Sequence, residues 1–268
     1  MRKYLNIIFI TILCFLSINM VYADKCDELI MYANSGFYKA TDVVLSYGTS
    51  HIYYSKYTLN DSNSSTAPAY SAYCRNAGVT ASKDYNGIKF KCDHQIFDTA
   101  STDEEQKTYE AGIVGILKNG YGTKNPSYLT YLQNNGLTEN EGYVATNVAL
   151  RVYEMIANPM FKDYDKNLNN AHKHYAKLWS EKYKSRLTAT FKNPDLDFSE
   201  ALTVHGWIDS TTKDITKAVE GEAERLFEIA LKASEDYKIN GAASLKGLDR
   251  KQETTSKPVQ TDRNVIKT

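Results

Sequence analysis

The chain has no excess of either charge: 32 Lys and Arg stand against 32 Asp and Glu in 268 residues. Binding to phosphate backbones requires concentrated basic charge, so composition excludes nucleic acid as an expected partner. Long apolar runs are also scarce. The stretch from Tyr4 to Ile18 is shorter than the ~20 residues a membrane-spanning helix needs. Arg2 and Lys3 precede it and Val21-Tyr22-Ala23 follows, the layout of a secretory signal with small residues at the cleavage positions. The expectation is a signal peptide over 1–23 and a mature chain starting at Asp24, outside a cell and without a stable membrane span. Leu13 before Cys14 and Lys25 before Cys26 are not the small residues of a lipoprotein site. Removing 1–23 takes away Arg2 and Lys3 and no acid, so acids then outnumber bases by two.

Cysteine is sparse. Cys14 leaves with the signal, and Cys26, Cys74 and Cys92 remain. An odd number in a secreted chain leaves one thiol without an internal disulfide partner. Spacing alone does not say which one.

The common catalytic signatures are absent as well. There is no H-E-x-x-H, no G-x-S-x-G, no phosphate-binding Walker loop and no dinucleotide fingerprint. His172 and His174 lie two apart in a predicted helix, on different faces, and cannot share a metal. His205 is isolated in VHGW and reads as structural. His94 shares a strand face with Cys92 but has no third partner there. Asp103-Glu104-Glu105 and Glu220, Glu222 and Glu224 read as solvated helix surface. No metal, no cofactor and no enzymatic turnover are expected.

What is present is ordered. Residues 24–105 hold β-branched and aromatic runs, DVVLSYG, SHIYYSKYTL, AYSAYCRN and GIKFKCDHQIF, separated by Gly, Asn, Asp and Ser. LNDSNSSTAPAY reads as a polar surface loop. From Thr102 the period becomes helical, with a first helix stopping at Asn119-Gly120. Thr138 and Glu141 form a capping box, T-x-x-E, ahead of a helix with a broad apolar face that Asn158-Pro159 ends. A third helix is predicted across NLNNAHKHYAKLWSEKYKSRL. After a strand-like link through ALTVHGWI, a long amphipathic helix follows, with Ser210 as its cap. From about Asn240 the chain loses apolar periodicity, so 240–268 is expected to be a disordered polar tail. It carries no hydrophobic anchor or LPxTG-type sorting signal. Strands followed by helices predict a single α+β domain over 24–239, with no internal repeat. The 21 Tyr suit exposed, half-polar surfaces that contact other molecules, or simply solvated positions on short strands.

Three short segments remain: Tyr73-Cys74; Ile116-Leu117-Lys118-Asn119-Gly120-Tyr121; and Ala145-Thr146-Asn147-Val148-Ala149-Leu150. In order and separation, over roughly residues 70–157, they resemble the thioester domains of Gram-positive surface adhesins. That family has a Tyr-Cys pair on a strand, an Ile-Leu-x-Asn-Gly-Tyr segment, and a helix reading Ala-Thr-Gln-x-Ala-Ile-Trp. The resemblance implies a secreted module for attachment to host or neighbouring-cell surfaces. In such domains the Cys sulfur and the Gln carbonyl condense to an internal thioester with loss of ammonia, and a lysine of a host protein attacks it. Here Cys74 would be the thiol and Asn147 stands in the glutamine position, with Tyr73, Thr146 and Arg151 supporting the site. Arg151 replaces the family's tryptophan. Asn is one methylene shorter than Gln, which draws the carbonyl back by about 1.5 Å. Three readings follow: a Cys74–Asn147 thioester; a module that keeps the fold and binds without the bond; or an unrelated secreted binding protein or enzyme. Gln133, the nearest other glutamine, precedes the helix cap and does not fit the motif.

Overall fold

The structure is a computed structural model that describes residues 30–33, 38–60, 69–73, 88–92, 103–122, 126–158, 170–198, 203–209, 211–240 and 259–261. The expected signal peptide, residues 61–68 of the expected loop LNDSNSSTAPAY, Cys26, Cys74, His94 and Ser210 lie outside the described residues; the ends of that loop, Leu59-Asn60 and Ala69-Tyr70, belong to strands.

Five strands come first: β1 (Ile30–Ala33), β2 (Tyr38–Tyr47), β3 (Ser50–Asn60), β4 (Ala69–Ala72) and β5 (Ile88–Cys92). Two more join from later in the chain, β6 (Val204–Ile208) and β7 (Val259–Thr261). They form one sheet in the order β6-β2-β3-β1-β5-β7, with β4 also paired to β3. Every ladder is antiparallel. Strands β2 and β3 form a hairpin in which Tyr47 pairs with Ser50. Gly48 opens the two-residue loop at φ +50°, a conformation that suits glycine and matches the twist of the flanking strands.

The helices are α1 (Asp103–Asn119), α2 (Pro126–Asn134), α3 (Glu139–Ala157), α4 (Asn170–Lys182), α5 (Lys184–Thr190) and α6 (Thr216–Asn240). The domain is α+β, as the order of strand and helix signals predicts. Helix α3 forms its centre, packing against α1, α4 and α6 and against β2 and β3. Its capping box forms: the Glu141 N–H donates to Thr138 Oγ1 at 3.2 Å, and the Thr138 N–H donates to Glu141 Oε2 at 2.7 Å. Its end is sharp because Asn158, which precedes a proline, is extended at φ −83°, ψ 111°.

Several details differ from the sequence reading. The broad apolar face on α3 proves too narrow a description, since every residue from Glu141 to Ala157 is buried. A helix enclosed by other elements has no solvent face, so its polar side chains must find partners inside. The single helix expected over 167–187 is two, α4 and α5, broken at Tyr183. The long C-terminal helix begins at Thr216, not after Ser210. Between them the Asp209 carboxylate collects the N–H groups of Thr211 and Lys213, and Thr212 takes φ +61°. That turn competes with helix and delays its start. The short α2 carries only two buried residues, Tyr128 and Leu132, too few to show a period. Within the tail expected to be disordered, Val259–Thr261 pair with β5.

Tyrosine is the largest departure. Among the described residues nine are buried, at positions 54, 70, 109, 121, 128, 143, 153, 175 and 183, and only Tyr53 stands far out at 73% exposure. The rings pack in the core, and most of the buried hydroxyls reach polar partners there.

Candidate functional site

The centre of the site is a tyrosine. Tyr57 and Ala72 are register partners where β4 ends against β3. The Tyr143 hydroxyl, from the second turn of α3, enters this pair: it donates to the Ala72 carbonyl at 2.8 Å and accepts from the Tyr57 N–H at 3.3 Å. One side chain thus ties the central helix to the end of β4, immediately before Tyr73-Cys74. Tyr73 continues the connection. Its ring stacks on Tyr143 at 4.8 Å between centroids, and its hydroxyl donates to the Tyr121 carbonyl at 2.6 Å. Burial, reinforced by the neighbouring phenols, raises the Tyr73 pKa well above its ordinary value and keeps the hydroxyl a donor.

Tyr121 then joins the third segment. Its N–H donates to Thr146 Oγ1 at 2.8 Å, and the Thr146 hydroxyl donates to the Gly142 carbonyl at 2.8 Å. Gly120 makes the approach possible. A Cβ there would lie 2.7 Å from both Thr146 Oγ1 and Cγ2, inside contact distance. Tyr73, Tyr121 and Thr146, one from each of the three sequence segments, therefore meet through consecutive hydrogen bonds.

Asn147 follows Thr146 and lies one turn beyond Tyr143, at the i+4 spacing that places side chains over one another. It is buried at 9% exposure, and no hydrogen bond to its carboxamide is found among the described residues. Cys74, its expected partner, is outside the described residues. Arg151, a further turn along, is buried and partnered. Its charge acts on Tyr54 and His172, which share a 2.6 Å hydrogen bond between Tyr54 Oη and His172 Nε2. Burial, with Arg151 adding to it, pushes the His172 pKa down to about 3, so the imidazole is neutral. His172 Nδ1 is the one sealed side-chain polar atom without a partner among the described residues. Arg151 therefore belongs to a buried polar run where the resemblance leads one to expect an apolar shield.

A second polar group borders the junction. Lys56 Nζ donates to the Tyr121 hydroxyl at 3.2 Å, and that hydroxyl donates to Glu139 Oε2 at 2.8 Å. Of these three residues, sequence singled out Tyr121 alone. The signal was available only as Tyr121 inside its motif and Glu139 inside the first turn of α3.

The other histidines and acids fall into place. His205 is exposed and bonds the Gly48 carbonyl at 3.0 Å, a structural contact. His174 lies edge-on to Tyr175, away from the His172 contact. The expectation of a solvated Glu220-Glu222-Glu224 surface fails at Glu222. Glu222 is buried and accepts from Tyr128 at 2.7 Å, Tyr131 at 2.9 Å, and Arg225 through Nε and Nη2 at 2.8 and 2.7 Å. Glu220 accepts from Tyr175 at 2.8 Å, and Glu224 pairs with Lys182 at 2.8 Å. A 3.6-residue period marks position on a helix but not what covers it, and α2 and α4 cover these positions. Among the described residues no group of three His, Cys, Asp or Glu could hold a metal ion, and no helix is long and apolar enough to cross a membrane.

Fold and site together define an antiparallel α+β domain with a buried helix and a tyrosine-bonded junction at the end of one strand. No protein-family model matches the chain, and neither a curated protein nor a solved structure matches it significantly.

Proposed function

We propose that the chain is a secreted, Gram-positive-type attachment module of the thioester-domain kind, binding host or neighbouring-cell surface proteins without a covalent bond and without catalytic turnover. The observation that supports this is the Tyr73–Tyr121–Thr146 junction. Three segments chosen for their sequence resemblance share hydrogen bonds although 25 and 48 residues separate their partners. The stacking of Tyr73 on Tyr143 brings the chain before Cys74 close to the helix turn that carries Asn147. Binding without acyl transfer is favoured by Asn147 itself, whose carbonyl is drawn back by about 1.5 Å relative to glutamine. The buried charge of Arg151 beside this position points the same way.

Two measurements test the proposal together. Intact-mass analysis of the mature chain is expected to return the full sequence mass, with no methylamine uptake. Labelled mature chain is expected to be retained on host-cell or bacterial layers and released by SDS. A mass short by one ammonia, with SDS-resistant adducts on lysine-bearing proteins, replaces non-covalent attachment with the thioester version. Absence of retention on every surface tried overturns attachment altogether.

A further inference from the structure

We propose that Lys56 is a nucleophilic amine that accepts an acyl group from activated acyl compounds such as thioesters and acyl phosphates, with Tyr121 and Glu139 forming a proton path away from it. This site needs neither Cys74 nor Asn147 and goes beyond the attachment reading. The geometry is directional. Lys56 Nζ donates to Tyr121 Oη at 3.2 Å, and Tyr121 Oη donates in turn to Glu139 Oε2 at 2.8 Å. The phenol thus stands between the ammonium and the carboxylate. An ammonium proton can therefore pass to the Tyr121 oxygen while the Tyr121 proton passes to the carboxylate. Glu139 is exposed and passes that proton to solvent, which leaves the amine neutral and the path open for the next proton.

The surroundings favour that neutral amine. Lys56 is half-buried on β3, over the Tyr121 ring at 5.0 Å from Nζ to the centroid. Directly across the ladder lies Lys39 of β2, a like charge at a paired register position. Burial lowers the Lys56 pKa from its ordinary value, Lys39 adds to the effect, and Glu139 opposes both. From α3 the facing charged group is Glu139, from β2 it is Lys39, and from the end of α1 the facing titratable group is Tyr121. Lys56 remains partly open to solvent, so a small acyl donor can reach it.

The step balances without a further reagent. The neutral amine attacks the acyl carbonyl and forms the N–C bond. The tetrahedral intermediate collapses, the C–S or C–O bond to the leaving group breaks, and the thiol or phosphate departs with the electron pair. The extra proton on nitrogen leaves through Tyr121 to Glu139 and then to the leaving group or solvent. The products are an amide on Lys56 and a free thiol or phosphate.

The test is limiting acetylation of the full mature chain with acetyl phosphate at several pH values, read lysine by lysine by peptide mass mapping. Lys56 is expected to react several-fold faster at pH 7 than exposed Lys177 or Lys217. Tyr121→Phe, which cuts the path and keeps the ring, is expected to slow Lys56 several-fold and to leave Lys177 and Lys217 unchanged. Circular dichroism confirms that the variant is folded before its rates are compared. Lys56 reacting no faster than the exposed lysines overturns the proposal. So does an unchanged Lys56 rate in folded Tyr121→Phe.

Discussion

The Tyr143 hydroxyl donates to the Ala72 carbonyl at 2.8 Å, closing the end of a β-ladder with a side chain from the central helix. The same oxygen accepts from the Tyr57 N–H at 3.3 Å, so a phenol occupies the place of a strand-to-strand bond. Tyr143→Phe leaves a backbone donor and acceptor without this partner. It is expected to cost about 1–3 kcal/mol in urea unfolding. Hydrogen exchange at the Tyr57 amide should accelerate well beyond the global change, and equal acceleration everywhere would show the bond to be incidental.

Glu222 holds α2 to α6 from inside the protein. Its carboxylate accepts from two phenols and both near nitrogens of Arg225, whose guanidinium also lies 4.6 Å from the Tyr131 ring centroid. Arg225 Nη2 reaches further, to the Asn119 carbonyl at 3.2 Å, and so secures the end of α1. Glu222→Ala leaves that cation and both phenols short of their acceptor, and a loss of roughly 3 kcal/mol is expected by chemical denaturation. Glu224→Ala, which removes an exposed-side partner of Lys182, should cost less than about 1 kcal/mol. Equal losses from the two would refute the assignment of Glu222 as an internal anchor.

Gly120 is required for its lack of a side chain. Gly120→Ala places a methyl 2.7 Å from Thr146 Oγ1 and Cγ2 and 2.8 Å from the Ile116 carbonyl. Overpacking of this kind costs about 1–3 kcal/mol. Thr146→Ala removes two of the three obstacles, so the double variant should lose less than the sum of the singles. Strict additivity would mean that Thr146 is not what Gly120 accommodates.

Acid should weaken the fold through His172. Its imidazole has a folded pKa of about 3, against the ordinary 6.5, because burial and Arg151 disfavour its charge. The unfolded chain therefore binds the extra proton over the interval between these values, and stability rises with pH there. The contribution is complete above about pH 6.5 and is lost progressively as pH falls towards 3. The groups facing the ring are Tyr54 from β3 and Arg151 from α3. His172→Gln should flatten the stability profile between pH 6 and 4 while lowering its plateau. A profile of unchanged slope would place the acid sensitivity elsewhere.

Much of the architecture could be read from local pattern. The capping box of Thr138 and Glu141 and the stop at Asn158 appear where side-chain period and turn residues put them, and each expected strand run holds a strand, shorter than the run in AYSAYCRN and ALTVHGWI, while β1 falls on no expected run. The missing α2 and the early start assigned to α6 have a common cause. A nine-residue helix with two buried positions has little period to detect, and the turn gathered by Asp209 forms from side-chain bonds that propensity does not count. At the site, Tyr73, Thr146, Asn147 and Arg151 could be chosen from sequence. Lys56, Glu139 and the role of Tyr143 could not, because their contacts span 18 to 86 residues.

The sequence by itself determined where α1 stops, where α3 starts and stops, and that neither net charge nor a known catalytic motif directs this chain to nucleic acid or to common hydrolytic chemistry. Those properties follow from neighbouring residues and from composition. Tertiary structure alone decided that α3 is buried on every side, that nine tyrosines belong to the core, and that Glu222 is an internal anchor. Burial and hydrogen-bond partners depend on which distant elements come to lie over a residue. Local pattern supplied Asn147 with a helix, and the fold enclosed that helix, its tyrosines and its Arg151 on every side.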